Sequence, residues 1–179
     1  MKILLLLGSP HAEGTTAALA KSFSKGAEEA GHEVVSIRCS QKNVHPCIGC
    51  NKCKVHGICV WTDDMPSIEA EIRSSDAVVF VTPIYYFGIT AQLKTVMDRF
   101  YSFDEFLRKK KPLFGLITAS ADVGIASSEG ANQQYRNLLD YMGSESIGIL
   151  NALGVTVPKD LDRTDYVEKA YQLGKSIRK

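Results

Sequence analysis

The stretch "KILLLLGSPHAEGTT", residues 2–16, runs through a block of aliphatics and then breaks into Gly, Ser, Pro and Thr. A short, continuous apolar run of this kind suits a strand of a parallel sheet buried on both faces. Leu19, Phe23, Ala27 and Ala30 follow at helical spacing, so the break is a strand-to-helix turn. A helix N-terminus offers free N–H groups and a positive dipole end to an anion. Ser9, Thr15 and Thr16 add hydroxyls, and Gly14 stands where the helix begins, yet residues 8–16 hold no Lys or Arg. Five residues separate Gly8 from Gly14 and no Lys follows, which excludes a Walker loop. The glycine pattern is not that of a dinucleotide turn, and without Cys or Arg it is not a phosphatase loop. The competing reading is a tight turn whose hydroxyls only cap the helix.

Working outward, strand-like runs recur at Lys2–Leu7, Glu33–Arg38, Ala77–Thr82, Leu113–Thr118 and, less cleanly, Ile147–Val157. Helical periods alternate with them. A helix near Gly14 stops at Gly31; Met65, Ile68 and Ile72 form a short helix capped by Asp63 or Asp64. Leu93, Val96, Met97 and Phe100 mark another, Tyr135, Leu138, Leu139 and Met142 a fourth, and Tyr166, Ala170, Gly174 and Ile177 a fifth. Alternating strands and helices predict a three-layer α/β domain over residues 1–179, with right-handed crossovers. Ligands of such sheets bind at the carboxyl ends of the strands, which directs attention to loops 8–16, 39–62, 83–90 and 119–131.

The 179 residues are 45% apolar and 23% charged, with a formal net charge of +1. That balance gives no reason to expect nucleic acid or a membrane surface as partner. The run Ile3–Leu7 is too short to span a bilayer and lacks a signal-peptide cleavage site, so a cytoplasmic protein is expected. Five cysteines in such a protein point to metal, redox chemistry or packing more than to disulfides.

The loop Pro83-Ile84-Tyr85-Tyr86-Phe87-Gly88 places three aromatics at a strand's carboxyl end. They would be poor choices for an open loop unless a flat ring or a neighbouring subunit covers them. Gly88 would let backbone approach a ring edge. The loop containing Ala119, Ser120 and Gly124 is small and polar, open to a ligand's approach.

A cation-free hydroxyl loop, an aromatic loop and a small loop, in this order, resemble the flavodoxin-like flavoproteins, and the NAD(P)H-dependent FMN reductase group in particular. "GSPHAEGTT" resembles that group's turn after the first strand, and "TPIYYFGITAQLKTVMDRF" its second-loop motif. The resemblance extends to "LNALGV" and "EKAYQLGKSI". It implies a five-stranded parallel sheet of order 2-1-3-4-5 with helices on both faces. It also implies FMN as cofactor, with Ser9, Thr15 and Thr16 at the 5′-phosphate. Pro83, Ile84, Tyr85, Tyr86, Phe87 and Gly88 would line the ring, with Ala119, Ser120 and Gly124 nearby. The group often has Arg or Lys where this chain has His11, so an ionic contact there depends on protonation of His11.

"HPCIGCNKCKVHGIC" carries Cys47, Cys50, Cys53 and Cys59, with gaps of two, two and five residues. Thiolates this dense can ligate one [4Fe–4S] cluster. The spacing resembles the compact motif of the iron–sulfur flavoproteins, a branch of the same group, and the following "DDM" fits that branch. Two other readings stand beside it: packed or redox-labile thiols without a cluster, and zinc. Cys39 reads as a small buried residue, His45 and His56 as solvated loop residues, and Arg108–Lys111 as a solvated helix end. Asp98 and Arg99 are assigned no chemistry.

The expected function is FMN-dependent NAD(P)H oxidation, reducing a flavin, a quinone or a similar small acceptor, with no side-chain acid–base pair required. The alternative is an iron–sulfur flavoprotein taking electrons from a ferredoxin-like donor through a cluster. A flavodoxin-like carrier would be strongly acidic, and a response-regulator receiver would need Asp where Thr82 stands. The resemblance further implies a homodimer or homotetramer, with the aromatic loop near subunit contacts.

Overall fold

In the computed structural model, which describes residues 1–178, five parallel strands form one sheet in the order β2-β1-β3-β4-β5. The strands are β1 (Lys2–Leu7), β2 (Glu33–Arg38), β3 (Ala77–Pro83), β4 (Leu113–Ala119) and β5 (Ser146–Ala152). The helices are α1 (Thr15–Glu29), α2 (Lys52–His56), α3 (Met65–Ser74), α4 (Ala91–Asp98), α5 (Asp104–Lys110), α6 (Ala126–Met142) and α7 (Tyr166–Lys175). This is the flavodoxin-like order expected from the resemblance. Its switch point lies between β1 and β3, where strand order reverses and loops part.

Successive strand residues feed opposite faces, because side chains alternate along a strand. Ile3 and Leu5, Val79 and Val81, and Ile117 and Ala119 pack on α1 and α7. Leu4 and Leu6, Val78 and Phe80, and Phe114 and Leu116 pack on α3, α4, α5 and α6. Phe80 stacks on Phe114 with ring centroids 5.6 Å apart, anchoring the second face. Both faces are covered, as the continuous apolar runs predicted.

Two glycines set the spacing of the first layer. A Cβ on Gly26 of α1 would lie 2.0 Å from the Tyr171 carbonyl oxygen, and one on Gly174 of α7 would lie 2.1 Å from that of Phe23. The two helices therefore meet backbone to backbone.

The last strand departs from expectation. Pairing with β4 ends at Ala152, and Gly154 (φ 68°) turns the chain so that Val155 folds back into the core. The apolar pattern continues past the strand because Val155 and Leu161 remain buried there. The third loop is also shorter than expected, since α6 begins at Ala126. The segment after β2 holds two short helical turns, Cys39–Gln41 and Lys52–His56. Among the described residues, no helix is long and apolar enough to cross a membrane.

Candidate functional site

Three strand ends converge on a cavity of 280 Å3. From the first loop and α1 come Ser9, His11, Gly14, Thr15 and Thr16; from β3 and its loop come Pro83, Ile84 and Tyr85. Ala119 closes it from the end of β4 and Ala121 from the loop that follows, and Val155 and Thr156 close it from the chain after β5. A second recess of 550 Å3 shares His11, Gly14 and Thr156 and continues the groove outward.

The first loop is shaped for an anion. Ser9, Thr15 and Thr16 are buried, and Gly14 begins α1 with no side-chain cap. Among the described residues, the N–H groups of Ala12, Glu13, Thr15 and Thr16 have no acceptor. Four donors left free at a helix N-terminus need water or an anion. The Ser9 hydroxyl accepts from the His11 N–H at 3.1 Å, and Thr15 donates weakly to the Thr156 carbonyl at 3.4 Å. The hydroxyls do not cap the helix, so the competing capping reading fails.

The loop's cation comes from elsewhere in the sequence. Arg38, at the end of β2, donates to the carbonyls of Ser9 (3.2 Å), His11 (3.1 Å) and Ala12 (3.3 Å). Sequence inspection missed it because it lies outside the turn. Val155 and Thr156 were missed as well, because the apolar run Ile147–Val157 reads as strand to its end, whereas Ala121 lies within the third loop singled out from the sequence.

The first two loops are knotted together. The Thr90 hydroxyl donates to the Gly8 carbonyl at 2.9 Å, and the Thr90 N–H reaches the Thr82 hydroxyl at 3.1 Å. A Cβ on Gly8 would sit 2.6 Å from the Thr90 oxygen, so this approach requires glycine.

The aromatic turn is strained. Tyr85 and Gly88 exchange backbone hydrogen bonds of 3.0 and 3.2 Å, leaving Tyr86 (φ 51°) and Phe87 (φ 67°) as the two central residues. Positive φ at both positions is the geometry of a tight hairpin turn that Asn and Gly ordinarily fill. Tyr86 is fully exposed and Phe87 63% exposed, with their rings edge to face. The Phe87 carbonyl presses on α6 where Gly130 leaves room: a Cβ there would lie 2.4 Å away. Tyr86, Phe87 and Gly88 thus stand at the rim, off the cavity wall. Ser120 and Gly124 are also off it. The Ser120 hydroxyl meets that of Ser127 at 3.0 Å, and the Gly124 N–H binds Asp122 at 2.8 Å, so both shape the loop from behind.

The cysteine loop hangs from a paired neck. Asn43 and Asp64 exchange contacts of 2.8 and 2.9 Å, and the Trp61 indole donates to the Pro46 carbonyl at 3.0 Å. Asp63 accepts from the N–H groups of His45 and Met65, both at 3.0 Å, so it caps α3 and holds the loop's entry together. Arg99 completes this junction with bonds to Asp63 and to the His45 carbonyl. Burial works against ionisation of Asp63, but Arg99 and the two N–H donors outweigh it and bring its pKa to about 2. His45 lies half-exposed in the loop and stacks on Trp61 at 4.4 Å, so its ring also belongs to the neck.

Beyond the neck, Cys47 and Cys50 are exposed and Cys53 and Cys59 half-buried. Four thiols on one loop are a suitable donor set for a [4Fe–4S] group or zinc. Among the described residues, no three His, Cys, Asp or Glu side chains converge as a metal site. Ile48, Val55 and Ile58 are exposed beside them. Cys39 is buried, which pushes its thiol pKa up to about 12 and leaves it inert, as expected.

Comparison with known proteins agrees with this geometry. An iron-sulfur flavoprotein of Archaeoglobus fulgidus is 33% identical over 177 residues, covering 99% of this chain and 79% of that protein. An iron-sulfur flavoprotein of Methanocaldococcus jannaschii is 38% identical over 99 residues, covering 55% of this chain; the match spans about half (51%) of that protein's length. Among solved structures, an NAD(P)H:quinone oxidoreductase from Methanothermobacter marburgensis superimposes with a TM-score of 0.83 at 16% identity, covering 100% of this chain and 96% of that one. At that identity the likeness establishes the fold. The family described as NADPH-dependent FMN reductase matches residues 1–154, which include every strand end around the cavity. The chain belongs to the NADPH-dependent FMN reductase family.

Proposed function

We propose that the cleft at the ends of β1, β3 and β4 binds FMN, and that the protein passes electrons from NAD(P)H to a small acceptor such as a quinone or a free flavin. The observation that carries this reading is the row of acceptor-free N–H groups and buried hydroxyls at the start of α1, set beside the aromatic turn. Hydroxyl and N–H donors, with no Lys or Arg in the turn itself to grip the ligand, suit a monophosphate that stays bound, because no transferring group has to be clamped. FMN, when bound, supplies hydride acceptance from a nicotinamide and electron release to an acceptor.

The chain's own residues supply position and cover. Ser9, Gly14, Thr15 and Thr16 hold the phosphate end, with His11 at the mouth. Pro83, Ile84 and Tyr85 bound the ring on one side and Ala119 on the other. Tyr86, Phe87 and Gly88 form a rim over which nicotinamide and acceptor enter in turn. Ser120 and Gly124 hold the third loop's shape. Tyr86 and Phe87, exposed as they are, also suit burial against a second copy of the chain in a homo-oligomer. The test is the visible spectrum of the purified protein after FMN addition and removal of free flavin, followed by NADH and NADPH oxidation with a quinone. A protein that retains no flavin, or oxidises neither nicotinamide, refutes the reading.

A second reading is favoured by one observation, the thiol set at Cys47, Cys50, Cys53 and Cys59. In this reading the loop holds a [4Fe–4S] cluster fed by a ferredoxin-like donor, in keeping with the names of the relatives. Iron and sulfide analysis after anaerobic reconstitution decides it. Zinc without sulfide, or four freely titrating thiols, excludes the cluster.

A further inference from the structure

We infer that Arg38 is a positioning residue for the anion turn: from the end of β2 it supplies the cation that residues 8–16 lack and turns their N–H groups toward the flavin phosphate. The inference rests on the flavin reading above and adds to it a residue from outside the motif. One guanidinium gathers three carbonyls, those of Ser9, His11 and Ala12, at 3.1–3.3 Å. A planar trans peptide points each N–H opposite to the preceding carbonyl. Drawing the His11 and Ala12 carbonyls to Arg38 therefore turns the N–H groups of Ala12 and Glu13 away from it. Among the described residues, those two N–H groups belong to the acceptor-free donors of the turn.

The electrostatics follow the same direction. Carbonyl oxygens carry partial negative charge that would repel a bound phosphate, and here three of them are turned onto a cation. Among the described residues, no carboxylate lies within ion-pair distance of Arg38, so its charge stays uncompensated behind the turn. Glu13, the only acid of the turn, is exposed and pairs with no cation among those residues. Arg is required for geometric reasons. Its fixed fork reaches several acceptors at once, whereas a Lys ammonium is a point charge on a flexible stem.

The test compares two flavins that differ only in the phosphate. Wild type, Arg38→Met and Arg38→Lys are titrated with FMN and with riboflavin, reading quenching of flavin fluorescence. Arg38→Met is expected to weaken FMN by about tenfold or more and riboflavin by less than about twofold, with Arg38→Lys between. A purely structural role would weaken both flavins alike, so equal losses, or no loss of FMN affinity, overturn the inference. If Arg38→Met does not fold, the FMN-to-riboflavin ratio of Arg38→Lys decides by the same criterion. Wild type that binds neither flavin refutes the flavin reading itself, whereas wild type that binds FMN with a ratio insensitive to Arg38 refutes only the role of Arg38.

Discussion

Arg99 places its guanidinium 2.6 Å from the Asp63 carboxylate, and the two side chains are 2% and 0% exposed. The same guanidinium holds the His45 carbonyl at 2.9 Å, so one buried ion pair joins the chain after α4 to both feet of the cysteine loop. Breaking such a pair from one side strands a buried charge. Asp63→Asn is expected to lower stability by about 3–5 kcal/mol in urea unfolding, and Asp63→Asn/Arg99→Met to recover part of that loss. Additive losses in the double variant would show that the two residues are not coupled.

The pair also sets a pH dependence. Its carboxylate has a pKa of about 2 in the folded protein against an ordinary 3.8. A depressed folded pKa gives stability that is complete above the unfolded pKa and fades as pH falls toward 2. Wild type should lose about 2 kcal/mol between roughly pH 5 and pH 1 on this account. Asp63→Asn should show a correspondingly shallower acid limb in urea midpoints taken across that range.

Gly174→Ala should be costly for its size. The added methyl would meet the Phe23 carbonyl, forcing α7 off α1 and straining the first layer. A loss of about 1–3 kcal/mol is expected from overpacking. A neutral result in thermal unfolding would mean the helices do not cross this closely.

The aromatic turn should trade stability for function. Replacing Tyr86 by Asn and Phe87 by Gly fits residues of the right backbone preference to positive φ. The double variant should gain about 1 kcal/mol in stability. Its nicotinamide oxidation with added FMN should fall, because the rim loses its rings. Unchanged turnover would remove Tyr86 and Phe87 from the entry path.

Thr16→Val removes one buried hydroxyl while keeping shape. It should weaken FMN about three- to tenfold in fluorescence titration and leave the folding midpoint nearly unchanged. Equal weakening of riboflavin would place the hydroxyl away from the phosphate.

Most of the sheet was legible because its evidence is local: β1 and β2 lie where their apolar runs predicted, and β3 and β4 extend by one residue. The end of β5 was not, because Val155 and Leu161 are buried by tertiary contacts after the strand has stopped, so apolar character outlasts pairing. The cleft shows the same division. Ser9, Thr15, Thr16 and Tyr85 declared themselves by residue type next to a strand end. Arg38 and Asp63–Arg99 act across 26 or more residues of sequence and carry no local pattern, so only folded geometry reveals their partners. The stacking of the half-exposed His45 ring on Trp61 is hidden from sequence for the same reason.

The knot of Gly8, Thr82 and Thr90 has a consequence for selectivity. On the flavin reading proposed above, it would fix the separation between the end that meets the phosphate and the end that meets the ring, using backbone groups and two hydroxyls. The cleft then works as a ruler. A flavin whose phosphate and ring stand at the matching distance engages both ends at once, whereas a shorter or longer ligand must forgo one. Discrimination by length in this way needs no side chain devoted to rejecting the wrong molecule.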